Sequence, residues 1–283
     1  MRTLSPLRYP GGKTVLRILI KQYIDDNGPI INFIEPFAGG AGVSLWLLFN
    51  NYVKKVYIND YDFLIYKIWD AILNDTSSFI DKLVQSPVTI DEWHKQKAII
   101  EDEDEYLNRS PLEIGFAAFF LNRCNRSGIL TKVAGPIGGK NQTGPWKLDA
   151  RFNKDALIKK IKEIANLRDN IYLSSLDAIT FMEQVDIPLT ETFFYLDPPY
   201  YSIGSELYRN YYTDIDHLNL RDCILSKTNV KWLISYDNNE FIRDIYRDQK
   251  IQEVSINHQA HIQHSSREII ITPKNVFDRK LAE

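Results

Sequence analysis

Blocks of regularly spaced apolar residues, separated by glycine and polar turns, divide the chain into predicted helices and strands. Apolar positions recur every three or four residues over 15–24, which predicts a helix ending near residue 26. A short apolar run predicts a strand at 31–35, a glycine-rich turn follows at 36–42, and helical spacing resumes at 43–49. Strand, glycine turn and helix in this order are typical of the first crossover in a nucleotide-binding fold.

The middle of the chain is predicted to be mainly helical. After a strand at 54–58, helical spacing continues from 62 to about 100, with interrupting turns, and further helices are predicted at 111–123 and 154–165. A long loop rich in glycine and polar residues separates the last two helices.

The final third of the chain alternates between strand and helix patterns. Strands are predicted at 171–174, 192–196, 230–235, 251–256 and 268–272. Together with the two earlier strands they form a predicted seven-stranded sheet of an α/β protein.

The apolar run at 193–196 stops at Asp197-Pro198-Pro199-Tyr200. Such a run bounded by a breaker is the pattern of a buried parallel strand, and ligands bind in open α/β sheets beyond the carboxyl ends of these strands. Both prolines restrict the backbone, so the Asp197 carboxylate and the Pro198 carbonyl are predicted to be two rigid acceptors. The four residues alone also fit a turn that merely ends a strand.

Two rigid acceptors suit a group that carries two hydrogens, such as the exocyclic amine of adenine. The lone pair of that nitrogen is delocalised into the ring, and accepting both hydrogens favours the pyramidal form that can attack an electrophile. The ring of Tyr200 offers a face on which a flat base can stack.

Other polar residues stand at predicted strand ends and turns. Glu35 ends the first strand and can take a cationic or hydroxyl group. Asp60 follows the second strand, where ribose hydroxyls are held in folds of this kind, although it could instead cap the next helix. The turn from Tyr9 to Lys13 either is a plain N-terminal turn or flanks a ligand, and it lacks the spacing of a phosphate-binding loop.

Composition narrows the function classes. A chain of 283 residues with 44% hydrophobic and 25% charged residues is an ordinary globular protein, and its net charge of -3 does not mark a nucleic-acid binder. No apolar run approaches a membrane span, the start lacks the apolar core of a signal peptide, and Cys124 and Cys223 are far apart, so a reduced cytoplasmic protein is expected. The histidines at 258, 261 and 264 lack a nearby cysteine or acid, and no metal is expected.

One segment is locally basic in spite of the acidic whole. Between Ile114 and Leu148 the chain has no Asp or Glu. The basic residues in this stretch are Arg123, Arg126, Lys132, Lys140 and Lys147. A long basic, amide-rich loop is typical of a surface that lies against phosphates and base edges, although a solvated loop remains an alternative.

Taken together, these motifs resemble those of the Dam-like DNA adenine methyltransferases that use S-adenosyl-L-methionine. The resemblance covers nearly the whole chain and rests on the order of Tyr9 to Lys13, Glu35 to Gly42, Asp60, Leu121-Asn122-Arg123 and Asp197 to Tyr200. The family often has Trp where this chain has Tyr9, which leaves that position less certain than the others. The resemblance implies these cofactor-binding residues: Tyr9, Lys13, Glu35, Phe37, Gly39, Gly42, Asp60, Asp177 and Asp197. Asp177 could alternatively cap a helix.

The resemblance also implies a fold and separate roles for two parts of the chain. A Rossmann-like seven-stranded methyltransferase sheet with helices on both faces is expected from residues 1–61 and 151–283, with a mainly helical target-recognition insertion at 62–150. The expected DNA-binding residues are Asn122, Arg123, Arg126, Lys132, Lys140 and Lys147.

The implied reaction transfers a methyl group to the amine of an adenine that is flipped out of duplex DNA. Asp197, Pro198, Pro199 and Tyr200 are the expected catalytic residues. The same chemistry on RNA adenine, on a cytosine amino group or on a protein amide remains an alternative, as does an inactive DNA-binding relative. A cognate restriction endonuclease is left open as a functional partner.

Overall fold

A computed structural model describes residues 4–9, 11–101, 108–202, 212–257 and 265–274. The described helices are α1 (Arg17–Asp26), α2 (Gly42–Phe49), α3 (Phe63–Asn74), α4 (Thr76–Gln85), α5 (Ile90–Glu101), α6 (Pro111–Cys124), α7 (Lys154–Ala165), α8 (Ala178–Gln184), α9 (Asp214–Ser226) and α10 (Glu240–Ile245). The described strands are β1 (Asn32–Glu35), β2 (Lys55–Asn59), β3 (Ile171–Ser174), β4 (Thr192–Leu196), β5 (Lys231–Asp237), β6 (Lys250–Asn257) and β7 (Ser265–Thr272).

The seven strands form one sheet in the order β3-β2-β1-β4-β5-β7-β6. Strands β1 to β5 run parallel, and β7 lies antiparallel between β5 and β6. The chain order reverses at the β1–β4 pair, so the crevice beyond the ends of these two strands is the place where such sheets bind ligands. Glu35 and Asp197 stand there.

Successive residues of the central strands point to opposite faces, and both faces are covered. Phe193 and Tyr195 of β4 belong to one apolar cluster with α1, α2 and α3, whereas Phe194 and Leu196 belong to a second cluster with α8, α9 and α10. All five residues of β4 are buried, as expected of an interior parallel strand. The predicted seven-stranded sheet with helices on both faces is confirmed.

The helical segment between β2 and β3 packs directly on the sheet. Its helices share the apolar cluster of β1 and β4, and Trp69 Nε1 of α3 donates a 2.8 Å hydrogen bond to the Gly39 carbonyl in the turn after β1. Helix α6 begins with a capping box of Ser110 and Glu113, followed by Pro111 at its first position. The predicted boundaries of the target-recognition insertion, at residues 61 and 150, remain a prediction. A single apolar core includes residues of the insertion and of the rest of the chain.

None of the helices that the model describes is both long enough and apolar enough to cross a membrane. The predicted histidine loop lies outside the described residues. In the described part of the chain, no three His, Cys, Asp or Glu residues are placed to hold a metal ion.

Candidate active site

The carboxylate of Asp197 follows β4 and is held through one of its two oxygens. Ser235 Oγ, on the neighbouring strand β5, donates a 2.7 Å hydrogen bond to Oδ1, and Lys13 Nζ lies 3.1 Å from the same atom. Tyr195 Oη lies within hydrogen-bond distance of Ser235 Oγ, at 2.9 Å, and helps to hold that hydroxyl in place. Among the described residues, the contacts of Ser235 and Lys13 both involve Oδ1 and neither involves Oδ2. One oxygen is therefore anchored while the other is available as an acceptor.

Lys13 connects the N-terminal turn to β4 and β7. Its Nζ donates to Tyr200 Oη at 2.8 Å and to the Gly11 carbonyl at 3.2 Å, and lies 3.4 Å from Glu268 Oε1. Tyr200 Oη in turn donates to Glu268 Oε1 at 2.7 Å. Burial raises the pKa of Asp197, and the ammonium of Lys13 opposes this rise. The first and the last motif of the chain therefore meet at one carboxylate.

The glycine turn after β1 is shaped by the N-terminal segment that packs on it. Gly39 has a φ of +47°, and a Cβ there would lie 2.8 Å from the Tyr9 ring. A Cβ on Gly42 would lie 2.2 Å from Thr14 Oγ1. Both positions therefore require glycine for close packing within the chain. The Tyr9 ring covers the turn and faces the same cavity as the residues below.

Asp60 fixes the same turn from the end of β2. Its Oδ2 accepts a 2.7 Å hydrogen bond from Gly39 N, and its Oδ1 accepts one of 2.9 Å from Asp62 N. The helix cap is Asp62, which accepts from Leu64 N, so the alternative that Asp60 caps α3 is wrong. Burial raises the pKa of Asp60 to about 7.

Glu35 is a second buried carboxyl group in the crevice. Its side chain is 4% exposed, and Ser44 Oγ of α2 donates a short hydrogen bond to its Oε2. Burial raises the pKa of Glu35 to about 8, and the Ser44 bond opposes the rise. Neither Glu35 nor Asp60 has a basic partner among the described residues. The crevice is thus built to receive positive charge.

These residues surround one cavity of about 930 Å³. Each predicted cofactor residue except Gly39 lines it, namely Tyr9, Lys13, Glu35, Phe37, Gly42, Asp60, Asp177 and Asp197. Gly39 lies against the ring of Tyr9. Of the other predicted catalytic residues, Pro199 lines the cavity. Pro198 is buried, and neither it nor Tyr200 belongs to the lining. Ligand pockets typically span about 300–1,000 Å³, so this cavity is at the large end of the range.

Asp177 caps a helix and also lines the cavity, while its role in cofactor binding remains a prediction. Its Oδ1 accepts from Ile179 N at 3.0 Å and from Thr180 N at 3.2 Å, which caps α8, and the residue also lines the cavity. Tyr212 lines the cavity as well, with its ring edge against Phe37 at a centroid distance of 5.8 Å. Tyr212 was not predicted, because it follows a polar stretch that carries no apolar periodicity.

The far wall of the cavity is basic. Arg8, Arg123 and Arg151 all line it, as do residues 127–131. The pKa of Arg123 is lowered to about 10, mainly by burial and also by the nearby positive charges of Arg8 and Arg151. No recorded ion pair joins any of the three to a described carboxylate. Arg8 and Arg151 were not predicted as site residues, since neither belongs to a motif that the sequence analysis identified.

Asn122 and Arg123 differ in the structure from what the sequence suggested. Asn122 is fully buried: its amide accepts from Arg8 N at 2.8 Å and donates to the carbonyls of Arg8 at 2.6 Å and Gly128 at 2.8 Å. With its side chain inside the fold, Asn122 holds the N-terminal segment and is not positioned to touch DNA. Arg123 Nε donates to the Arg151 carbonyl at 2.8 Å, so part of its guanidinium is already engaged.

The remaining basic residues of the loop are exposed. These residues are Arg126, Lys132, Lys140 and Lys147. The loop itself is cross-linked by Gln142, whose side chain bonds to the carbonyls of Ile137 at 2.8 Å and Gly139 at 2.7 Å and to Leu148 N at 2.8 Å. Trp146 is 57% exposed on the same loop. An exposed indole beside lysines is suited to nucleic acid, because it can stack on a base.

Comparisons with known proteins place the chain in a methyltransferase family. A family model described as D12 class N6 adenine-specific DNA methyltransferase matches residues 9–259. The Type II methyltransferase M.MjaIII of Methanocaldococcus jannaschii is 25% identical over 269 residues, which cover 88% of this chain and 89% of that protein.

Two solved structures align over most of the chain at low identity. The rRNA methyltransferase aviRa from Streptomyces viridochromogenes covers 94% of this chain and 86% of its own, with a TM-score of 0.40 and 10% identity. A conserved hypothetical protein from Streptococcus pyogenes covers 92% of this chain and 97% of its own, with a TM-score of 0.38 and 9% identity.

Proposed function

Because the chain belongs to the D12 class N6 adenine-specific DNA methyltransferases, we propose that Asp197 accepts a hydrogen of the target amine on an adenine flipped out of duplex DNA. The observation that carries this proposal is the asymmetry of the Asp197 carboxylate. Its Oδ1 is anchored by Ser235 and Lys13, neither contact involves Oδ2, and Asp197 lines the cavity.

The cofactor of the family is S-adenosyl-L-methionine, and the residues around the cavity suit it. The molecule carries a sulfonium and an ammonium, together with ribose hydroxyls. Glu35, Asp60 and Asp177 supply carboxylates for these groups, and the ring of Tyr9 supplies an apolar surface. When bound, the cofactor supplies an electrophilic methyl group on sulfur. Asp60 and Asp177 would hold its hydroxyls, and Glu35 would face its positive charge.

The residues of the chain then act on the base. Asp197 Oδ2 accepts one amine hydrogen and the Pro198 carbonyl accepts the other, which favours the pyramidal nitrogen whose lone pair attacks the methyl group. Tyr200 stacks on the ring of the base. Transfer would exchange the methyl–sulfur bond for a methyl–nitrogen bond, so the sulfur would leave as a neutral thioether, and the surplus proton on nitrogen would pass along its hydrogen bond to Asp197 and then to solvent. Positioning and preorganised acceptors supply most of the rate enhancement in this scheme.

We assign residues 62–150 to target recognition. In support of this, the segment supplies Arg123 and residues 127–131 to the cavity lining, to which Arg8 and Arg151 also belong. A strand that delivers a flipped base brings phosphates to this wall, and three arginines without a recorded carboxylate partner suit phosphate. Lys132, Lys140 and Lys147 of the same segment are exposed and offer further positive charge for phosphates.

The M.MjaIII relative is a Type II methyltransferase, and we extend that role to this chain. In it, a cytoplasmic enzyme would protect host DNA from a cognate restriction endonuclease that cuts the same site. Digestion of DNA from a host that expresses the protein, with a panel of endonucleases, tests this part separately.

One assay tests the proposed substrate. Labelled S-adenosyl-L-methionine is supplied with duplex DNA, single-stranded DNA and RNA of matched sequence, and the methylated base is identified after digestion. We expect N6-methyladenine in duplex DNA, and 2-aminopurine fluorescence at the target position should rise on binding as the base leaves the stack. Methylation confined to RNA or to single strands would overturn the proposal.

A further inference from the structure

Glu268 is a buried acid that the scheme above does not use. It lies in β7, where its register partner in β5 is Asp237, and it is 1% exposed. Its Oε1 accepts the 2.7 Å hydrogen bond from Tyr200 Oη and lies 3.4 Å from Lys13 Nζ. A carboxylate so far inside a protein is costly unless it is paired, and here its partners are a predicted catalytic residue and a predicted cofactor residue.

Lys13 is shared between two carboxylates. Its Nζ is 3.1 Å from Asp197 Oδ1 and 3.4 Å from Glu268 Oε1, and its side chain is 2% exposed. The ammonium therefore stands between the two acids at similar distances. A single positive charge cannot pair fully with both, so each acid weakens the interaction between Lys13 and the other acid.

Tyr200 is fixed by the same group. Its hydroxyl accepts from Lys13 and donates to Glu268, so both roles of this oxygen are satisfied. A phenol held at its oxygen keeps the ring in one orientation, which a stacking platform requires.

We propose that Glu268 is a positioning residue for methyl transfer. It orients the ring of Tyr200, and it draws the ammonium of Lys13 away from Asp197, so that the Asp197 carboxylate keeps its strength as an acceptor for the target amine. The inference rests on the proposed function, because it assumes that Asp197 acts on the base. A strongly paired Asp197 would be a poorer acceptor, since its charge would be neutralised by Lys13.

The site offers a readout that a merely structural role would not change. Without the charge of Glu268, one carboxylate no longer competes for Lys13, so the pKa of Asp197 falls and the acid limb of the transfer rate moves to lower pH. The charged or titratable groups facing Asp197 and Glu268 are Lys13, Glu35, Tyr195, Tyr200, Tyr236 and Asp237. The pH of the acid limb is compared between the unchanged protein, Glu268→Gln and Glu253→Gln, because these other groups are the same in all three.

The test compares Glu268→Gln with a matched control on the neighbouring strand. Glu253→Gln in β6 makes the same change at an acid that is 50% exposed and pairs with Arg243. Single-turnover methyl transfer is measured from pH 5 to 9 at saturating cofactor and substrate, with cofactor affinity and thermal stability measured in parallel. The substrate is whichever nucleic acid the unchanged protein methylates.

For Glu268→Gln we expect a loss of about tenfold or more in transfer rate, with cofactor affinity changed by no more than about threefold and the acid limb shifted to lower pH. Glu253→Gln should match the unchanged protein. A second variant, Tyr200→Phe, keeps the ring and removes the hydroxyl, so its rate should fall less, with the acid limb in place.

Two results would overturn the inference. One is an unchanged rate and acid limb in Glu268→Gln. The other is a loss of rate that follows a loss of thermal stability, with the limb unmoved, which would make Glu268 a purely structural residue. Failure of the proposed function would look different, because it would appear in the unchanged protein as the wrong methylated substrate.

Discussion

Lys13 Nζ lies 3.1 Å from Asp197 Oδ1, which ties the turn before the first helix to the end of the fourth strand. The contact anchors one oxygen of the carboxylate and leaves the other as an acceptor. It also explains why two motifs that are more than 180 residues apart in sequence belong to one site. The cofactor cavity and the proposed amine acceptor are parts of a single charged cluster.

Replacing Asp60 with Ala should weaken the binding of S-adenosyl-L-methionine by about ten- to a hundredfold, because the variant has no carboxylate to accept hydrogen bonds from the ribose hydroxyls. Thermal stability should fall as well, since Asp60 accepts hydrogen bonds from Gly39 N and Asp62 N. Calorimetric titration measures the affinity. Ser110→Ala is the control: it removes the cap of α6 outside the cavity lining, and should lower stability without changing affinity. Equal affinities for Asp60→Ala and the parent would restrict Asp60 to shaping the turn.

The ligand-free protein should lose stability as pH rises from about 5 to about 8. The pKa of Glu35 is raised to about 8 and that of Asp60 to about 7, so the folded state binds more protons than the unfolded state in this window. The stabilisation that comes with protonation is complete below the unfolded pKa values and is lost as pH passes the folded ones.

Thermal unfolding at a series of pH values measures this dependence. Glu35→Gln should flatten the decline, because that position then no longer titrates. Saturating S-adenosyl-L-methionine should stabilise the protein more at pH 8 than at pH 6, since its positive charges meet ionised carboxylates. A stability that rises with pH over this window in the ligand-free protein would contradict the proposed environment of the two acids.

Replacing Lys132, Lys140 and Lys147 with Gln should weaken binding to all DNA sequences. The slope of log affinity against log salt should fall by about one unit for each phosphate that a lysine no longer neutralises. Fluorescence anisotropy over a salt series provides the measurement. The matched control replaces three exposed basic residues outside the loop, namely Lys159, Lys162 and Arg247. If the loop variant retains the parent affinity at every salt concentration, the loop is not the DNA surface.

Much of the fold could be predicted because its signals are local. The strands at 171–174 and 192–196 and the helix at 154–165 match the predicted ranges, since their apolar spacing is regular and their ends carry breakers. The family resemblance, the fold and the adenine-specific activity are confirmed. Strand β7 begins at 265, three residues before its predicted start. Its first residues are polar and pair with β6 through the backbone.

The parts of the site that were missed depend on distant contacts. Glu268 looks like an ordinary strand residue in sequence, and only the neighbouring strands show that it meets Lys13. Asn122 was assigned to DNA because it adjoins Arg123, whereas its side chain points inward to Arg8. Periodicity does not tell which side of a helix end an amide faces, and no local pattern distinguishes a buried amide from an exposed one.

If Asp197 provides the acceptor for the target amine, Asp197→Ala should be defective in single-turnover methylation of a DNA library at saturating cofactor, with N6-methyladenine as the readout. Saturation is needed because Asp197 also lines the cofactor cavity. We expect a folded variant that still binds duplex DNA and transfers methyl groups on the order of a hundred- to a thousandfold more slowly. Transfer within about tenfold of the parent under these conditions would contradict it.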